Sequence, residues 1–182
     1  MPAPVLLHIG YPKTASTWLQ ETLFARETSG FTSPVPMVEL KRVFFSVNPY
    51  TFSGSRARDA LCGPMDAARS AGRVPVLSDE WFTGNQVSGD YRGREMADRL
   101  HAAFPEAQVL VVIREQLSMV LSSYREYVKC GGVHDVEAFV GGGRLREGFE
   151  PVCRPDHLEY DHLLSCYRDL FGSERVYAVP YE

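Results

Sequence analysis

Short apolar runs bounded by glycine and proline alternate along the chain with segments whose apolar residues recur at helical spacing. The run Val5–Ile9 stops at Gly10 and Pro12, which is typical of a buried strand that enters a tight turn. The run Gln108–Ile113 is apolar on both faces, as an interior parallel strand must be. Four strands are predicted: Val5–Ile9, Val74–Leu77, Gln108–Ile113 and Val176–Val179.

Helical periodicity fills the intervals between these strands. The first helix is predicted to begin with Ser16 or Thr17 as its N-cap and to end near residues 28–30. Further helices are predicted over Arg56–Ala71, Tyr91–Phe104 and Leu117–Val128. Residues 31–55 have no clear period, which predicts loops and one short helix there.

The last helix is predicted from a capping pattern. Asp156 with Glu159 three positions later indicates a capping box, and Gly172 is the expected C-cap. Between the previous helix and this one, the glycine-rich segment 141–148 follows no strong strand and is interpreted as a connector.

The alternation of strands and helices predicts an α/β fold, a parallel β-sheet flanked by helices, in a single domain that spans residues 1–182. In open sheets of this kind, ligands bind beyond the carboxyl ends of the strands. Candidate chemistry is therefore sought directly after each predicted strand.

Composition narrows the class of protein. Of the 182 residues, 45% are hydrophobic, which suffices for one globular core, and the net charge is -4. Because there is no basic surplus, nucleic acid is disfavoured as a partner. The four cysteines lack zinc or disulfide spacing, which predicts reduced thiols, and no segment has the pattern of a signal peptide or a membrane span. A soluble, cytoplasmic protein is expected.

The segment 7–19 carries the most specific pattern: a strand, a glycine-proline turn, one lysine, a run of hydroxyl residues and a helix. A helix N-terminus presents unpaired N–H groups and positive potential to a phosphate. Thr14, Ser16 and Thr17 are expected to add hydroxyl donors. An ATP-binding Walker A loop needs a glycine directly before its lysine, whereas Lys13 follows Pro12, so that loop is disfavoured.

These residues resemble the sulfotransferase family of bacterial type, whose 5′-phosphosulfate loop reads Pro-Lys-(Ser/Thr)-Gly-(Thr/Ser)-(Thr/Ser) between its first strand and helix. The match covers Pro12 to Thr17, with Ala15 where the family has glycine. The resemblance implies a P-loop-like core, the cofactor 3′-phosphoadenosine 5′-phosphosulfate, the product adenosine 3′,5′-bisphosphate and no metal. It assigns the cofactor's phosphosulfate to Gly10, Pro12, Lys13, Thr14, Ala15, Ser16, Thr17 and Trp18, with Lys13 also as a catalytic residue at the leaving group.

A second match to the family follows the strongest strand. Arg114 comes directly after Ile113, and Ser122 lies eight residues later. In the family an arginine and a serine at this spacing hold the nucleotide's 3′-phosphate, although Ser123 leaves the serine ambiguous by one position. The family commonly has proline two residues after the arginine, where this chain has Gln116.

Glu80 is the candidate general base. Sulfuryl transfer to a hydroxyl or amine needs a group that takes the acceptor's proton, and Glu80 lies just beyond a predicted strand in a segment that resembles the family's catalytic glutamate region. Asp79 is the alternative. The five histidines match no motif; His8 is expected to pack on the first strand. The acceptor is expected to be a small molecule, a carbohydrate or a lipid.

The resemblance is incomplete at one end. Family members continue past the strand that ends at Val179 into a glycine-containing basic segment that closes over the nucleotide. The chain is therefore expected to be either C-terminally truncated, the favoured interpretation, or a reduced variant with weakened cofactor binding. Two alternatives stay open: a nucleotide or small-molecule kinase that uses magnesium and ATP, and an inactive nucleotide-binding module.

Overall fold

The computed structural model describes residues 4–87, 90–141 and 153–181, and within them the fold is a five-stranded parallel β-sheet flanked by helices. The sheet order is β2-β3-β1-β4-β5. The strands are β1 (Leu6–His8), β2 (Phe31–Thr32), β3 (Val74–Ser78), β4 (Gln108–Ile113) and β5 (Val176–Pro180). The predicted α/β class and all four predicted strands are confirmed.

Strand β2 was not predicted. It has only two residues, which pair in parallel with Val74 and Pro75 of β3. A strand this short has no period of its own, so its pairing partner creates it.

The helices lie in the predicted intervals with shifted ends, except α6, which was not predicted. They are α1 (Ser16–Trp18), α2 (Met37–Leu40), α3 (Gly54–Ser70), α4 (Gly93–Ala103), α5 (Gln116–Lys129), α6 (Val136–Phe139) and α7 (Tyr160–Phe171). Helix α1 continues as a π-helical turn over Leu19–Leu23, α2 continues as another over Lys41–Phe45, and 3₁₀ turns cover Glu27–Ser29, Pro49–Thr51, Glu80–Thr83, Pro155–Leu158 and Ser173–Arg175.

Two capping predictions were wrong. The N-cap of the first helix is Ala15, and Ser16 is the first residue inside the helix, where its hydroxyl contacts the carbonyl of Tyr11. The expected capping box is absent, because Asp156 lies in a 3₁₀ turn, where its carboxylate binds Tyr91 and Arg154. The predicted C-cap at Gly172 is correct, with φ of 89°. Segment 142–148 of the predicted connector lies outside the described residues.

The sheet is covered on both faces. Leu7 belongs to the main core, which includes residues of α3, α4 and α7, whereas Leu6 packs with Phe24 and Val76 on the opposite face. This two-sided burial matches the near-continuous apolar runs in the sequence. Because β1 pairs in parallel with β3 and β4, the carboxyl ends of these three strands lie side by side. There His8 pairs in register with Ser78 and Leu110.

Within the described residues, no helix combines the length and the apolar character needed to cross a bilayer. The four cysteines are free thiols.

Candidate active site

The loop after β1 has an unusual backbone. Lys13 and Ala15 both have left-handed conformations, with φ of 71° and 60°. Left-handed residues alternating with right-handed ones turn successive N–H groups toward one side and form a concave anion-binding nest. Ala15 stands where the family pattern has glycine, the residue that adopts this conformation without steric strain.

Two hydroxyl side chains in the loop donate hydrogen bonds to the backbone of the same loop. Thr14 donates from Oγ1 to the carbonyl oxygen of Tyr11 over 2.5 Å, and Ser16 contacts the same oxygen over 3.4 Å. Both side chains are buried. In this arrangement neither hydroxyl has a second proton for another acceptor, because a hydroxyl has only one. Thr17 alone among the three is exposed.

The remaining loop residues occupy defined positions. Gly10 is buried, and a Cβ added there would lie 2.9 Å from Nε2 of His8, so the close approach of that ring requires glycine. Pro12 is half-buried beside it. Trp18 is 57% exposed at the end of α1, where its ring is available to a ligand.

Lys13 has a carboxylate partner. Its Nζ lies 2.8 Å from Oε2 of Glu126 on α5, with 35% and 39% of the two side chains exposed. The hydrogen bond from Lys13 holds the pKa of Glu126 below its usual range. Glu126 was not singled out in the sequence, because a glutamate on a helix surface has no local signal.

Arg114 meets the loop at the end of β4. Its Nη1 donates to the carbonyl oxygen of Lys13 over 3.3 Å, and its guanidinium lies 5.1 Å from the ring centroid of Tyr181. Tyr160 donates its hydroxyl to the carbonyl of Arg114 over 2.8 Å. The guanidinium is therefore held at the mouth of the loop.

The two serine candidates differ in environment. Ser123 is buried and lies 3.4 Å from Nε2 of Gln86, whereas Ser122 is only half-buried. Ser122 and Ser123 precede Glu126 by four and three positions, so both lie within one turn of it on α5. Exposure alone separates the two candidates, and Ser122 is the more accessible one.

Glu80 and Asp79 follow β3 in different roles. Asp79 is buried, its Oδ1 accepts from the N–H of Trp81 over 2.9 Å, and it caps the 3₁₀ turn Glu80–Thr83. Its second oxygen, Oδ2, has no hydrogen-bond partner, and burial raises its pKa. Glu80 is half-buried; burial and then Asp79 raise its pKa, while Lys13 and Lys41 act to lower it. The charges of Glu80 and Lys13 therefore act on each other, so the carboxyl of Glu80 lies near the loop that follows β1.

Lys41 is a residue that the sequence analysis missed. Its Nζ lies 4.7 Å from the ring centroid of Trp81, and its charge acts on both Asp79 and Glu80. The available signal was its rarity, because the chain has only three lysines.

His8 is a structural residue of the first strand. His8 is fully buried, as predicted, with Nδ1 2.7 Å from Oγ of Ser78, and burial lowers its pKa to about 4. It is neutral near pH 7. Among residues 4–87, 90–141 and 153–181, no cluster of three or more His, Cys, Asp or Glu side chains is arranged to hold a metal ion.

The fold and site together define an α/β protein with a loop of left-handed residues at the edge where three parallel strands end. The solved sulfotransferase from Alicyclobacillus acidocaldarius matches all of this chain and 74% of its own, with a TM-score of 0.68 and 19% identity. The sulfotransferase domain from the curacin biosynthetic pathway matches all of this chain and 68% of its own, with a TM-score of 0.53 and 14% identity. No protein-family model and no curated protein sequence matches. The chain therefore has the sulfotransferase fold, and the resemblance seen in the sequence is confirmed at that level.

Proposed function

We propose that this chain transfers a sulfuryl group from 3′-phosphoadenosine 5′-phosphosulfate to a hydroxyl or amine acceptor by in-line displacement. The observation that carries the proposal is the contact of Arg114 Nη1 with the carbonyl of Lys13. It joins the two segments that resemble sulfotransferase motifs, while Glu80 acts electrostatically on the same loop from the third strand.

The loop fits an anionic headgroup. The left-handed residues at 13 and 15 and the start of α1 direct backbone N–H groups to one side, where an anion finds donors and positive potential. We assign the 5′-phosphosulfate to the segment 10–18, with the backbone and Thr17 as donors. Trp18 offers an exposed indole ring for the adenine base of the nucleotide.

Arg114 and Ser122 are assigned to the 3′-phosphate. A guanidinium is permanently charged and its planar fork matches two phosphate oxygens, whereas the serine adds a neutral hydrogen bond. This pair would distinguish the nucleotide from ATP, which has no 3′-phosphate.

Lys13 and Glu80 are assigned to the chemistry. The cofactor supplies the sulfuryl group: a bond from the acceptor oxygen to sulfur forms while the bond from sulfur to the bridging oxygen breaks. Glu80 accepts the acceptor's proton, and its raised pKa makes it a better base than an ordinary glutamate. Lys13 stabilises the negative charge that develops on the bridging oxygen. To do so, its ammonium must leave Glu126.

The proposal extends to the setting of the reaction. We place the enzyme in the bacterial cytoplasm as a single domain over residues 1–182, acting on a small-molecule, carbohydrate or lipid acceptor without a metal. These assignments rest on the resemblance and on the sequence composition.

A comparison of nucleotides tests the proposal. Adenosine 3′,5′-bisphosphate without metal should raise the melting temperature of the wild type more than magnesium-ATP does, because a ligand that binds only the folded state stabilises it. Lys13→Ala should reduce that shift, whereas Arg168→Ala, at an exposed position of α7, should not. An equal response to both nucleotides, or a larger one to magnesium-ATP, refutes the assignment. Binding without sulfuryl transfer to any acceptor would instead identify an inactive module.

A further inference from the structure

Two turns are packed against each other at the candidate base. The first is the π-helical turn Lys41–Phe45, and the second is the 3₁₀ turn Glu80–Thr83. The ring of Phe82 stacks on that of Phe45, with centroids 5.5 Å apart at 12°, and meets the ring of Phe44 edge-on at 5.9 Å. Phe44 and Phe82 are fully buried. Core packing therefore fixes one turn against the other.

An ammonium group lies over an indole ring at the outer end of this contact. Nζ of Lys41 is 4.7 Å from the ring centroid of Trp81, a distance at which the face of the ring attracts a cation. Trp81 directly follows Glu80, and its backbone N–H donates to Oδ1 of Asp79 over 2.9 Å. The positive charge of Lys41 is thus held beside a turn that begins with two consecutive carboxyl residues.

Lys41 and Lys13 differ in their partners. Lys13 pairs with Glu126 at 2.8 Å, whereas the contact that the structure gives to the ammonium of Lys41 is with a neutral ring. Both lysines act to lower the pKa of Glu80, against the effects of burial and of Asp79. Once an anionic cofactor engages Lys13, Lys41 is the lysine that still opposes those two effects.

Other charged side chains near the two turns have partners of their own. Helix α4 begins against the 3₁₀ turn, because a Cβ added to Gly93 would lie 2.7 Å from the carbonyl oxygen of Thr83. The charged pairs on α4, at its N-cap and on the π-helical turn are Arg94 with Asp98, Arg99 with Glu95, Arg92 with Asp90, and Arg42 with Glu39. The charged groups that act on Glu80 are Asp79, Lys13 and Lys41.

We propose that Lys41 is a positioning residue of the reaction: its ammonium, fixed on the Trp81 ring, keeps the Glu80 carboxyl in the ionised form that can accept a proton. A half-buried carboxyl beside a second carboxyl would otherwise keep its own proton in mildly acidic solution. The role in catalysis rests on the proposed function, whereas the electrostatic contact does not. Lys41 acts through Glu80 and not on the reacting atoms.

Carbon-13 NMR of the glutamate side chains tests the contact without cofactor or acceptor. The resonance of Glu80 is identified by its loss in Glu80→Gln. Its titration midpoint should move to higher pH in Lys41→Met, which keeps an unbranched side chain but removes the charge, and should return toward the wild-type position in Lys41→Arg. Arg42→Gln is the matched control, because it removes the same charge from the next residue, where that charge is paired with Glu39. An unmoved midpoint in Lys41→Met, or an equal displacement in Arg42→Gln, would overturn the inference.

The pH profile of sulfuryl transfer, measured with a panel of alcohols and amines, is the second readout. Lys41→Met should lower kcat roughly two- to tenfold at about pH 5 and hardly at all at about pH 8, because the missing charge matters only where Glu80 titrates. A loss of the same size at every pH would mean a merely structural role and would also overturn the inference.

The two readouts separate this inference from the proposed function. If the Glu80 midpoint moves as expected but the wild type transfers no sulfuryl group to any acceptor, the contact of Lys41 with Glu80 stands and the proposed function fails. If transfer depends on Glu80 but the midpoint is the same in Lys41→Met, the inference about Lys41 alone fails.

Discussion

Arg114 Nη1 lies 3.3 Å from the carbonyl oxygen of Lys13, although the two residues are 101 positions apart in the chain. The contact forms because β1 and β4 are parallel neighbours, so the segments that follow them leave the sheet at the same edge. A permanent positive charge thereby sits at the mouth of a loop whose own backbone already favours anions.

Arg114→Gln should weaken the binding of adenosine 3′,5′-bisphosphate by roughly ten- to a hundredfold, as expected for the loss of a charged hydrogen-bond donor to phosphate. The affinity for adenosine 5′-monophosphate should change much less, because that nucleotide lacks the 3′-phosphate. Isothermal titration with both ligands measures the difference. Arg42→Gln, at an exposed ion pair with Glu39, is the control. Equal losses for both nucleotides would remove Arg114 from the 3′-phosphate.

Glu126→Gln should tighten the binding of the same bisphosphate by up to about fivefold, since exposed ion pairs are weak and the substitution removes the competitor for Lys13. The gain should shrink as salt rises, because salt already screens the wild-type pair. Glu106 lies just before β4 and forms an exposed ion pair with Arg175. Glu106→Gln, which breaks this pair, should leave the affinity for the bisphosphate unchanged. Unchanged or weaker binding by the Glu126 variant would show that its carboxylate does not compete with the nucleotide.

Ala15→Gly should raise the free energy of unfolding by ~1 kcal/mol. The left-handed conformation of Ala15, with φ of 60°, strains a residue with a Cβ, and glycine relieves that strain although it also loosens the unfolded chain. Urea denaturation provides the measurement. Ala67→Gly inside α3 should do the opposite and lower stability by ~1 kcal/mol. A destabilised Ala15 variant would contradict the left-handed backbone of the loop.

Glu80→Gln should abolish most sulfuryl transfer, by roughly 10²- to 10⁴-fold, while the affinity for the bisphosphate is kept. In the wild type the base must be ionised, and its raised pKa should move the acidic limb of the rate profile toward neutral pH compared with an ordinary glutamate. That limb should disappear from the residual activity of the variant. Wild-type turnover by this variant would mean that another group acts as the general base.

Asp79→Asn tests the other carboxyl by its pH dependence. Burial raises the pKa of Asp79 in the folded state, so the wild type is favoured by protonation and loses stability as pH rises through that pKa. The asparagine keeps an oxygen for the N–H of Trp81 and does not titrate. The melting temperature of the variant relative to the wild type should therefore rise between about pH 4 and neutrality. A difference independent of pH would mean that Asp79 does not titrate in this range.

Local pattern was sufficient for four of the five described strands. Gln108–Ile113 was predicted with the ends that the structure shows, because a strand buried on both faces must be apolar throughout. The run from Pro12 to Thr17 predicted a turn that leads into a helix, and α1 begins at Ser16.

Only the tertiary structure determined which side chains of the candidate site contact one another. The hydroxyls of Thr14 and Ser16 turn inward to Tyr11, Glu126 pairs with Lys13, and Lys41 joins the acids after β3. Strand β2 likewise exists only through its pairing with β3. Periodicity records which face of an element is buried, but it does not record which distant side chain a polar group meets. That choice depends on the order of strands in the sheet and on how the helices pack against it.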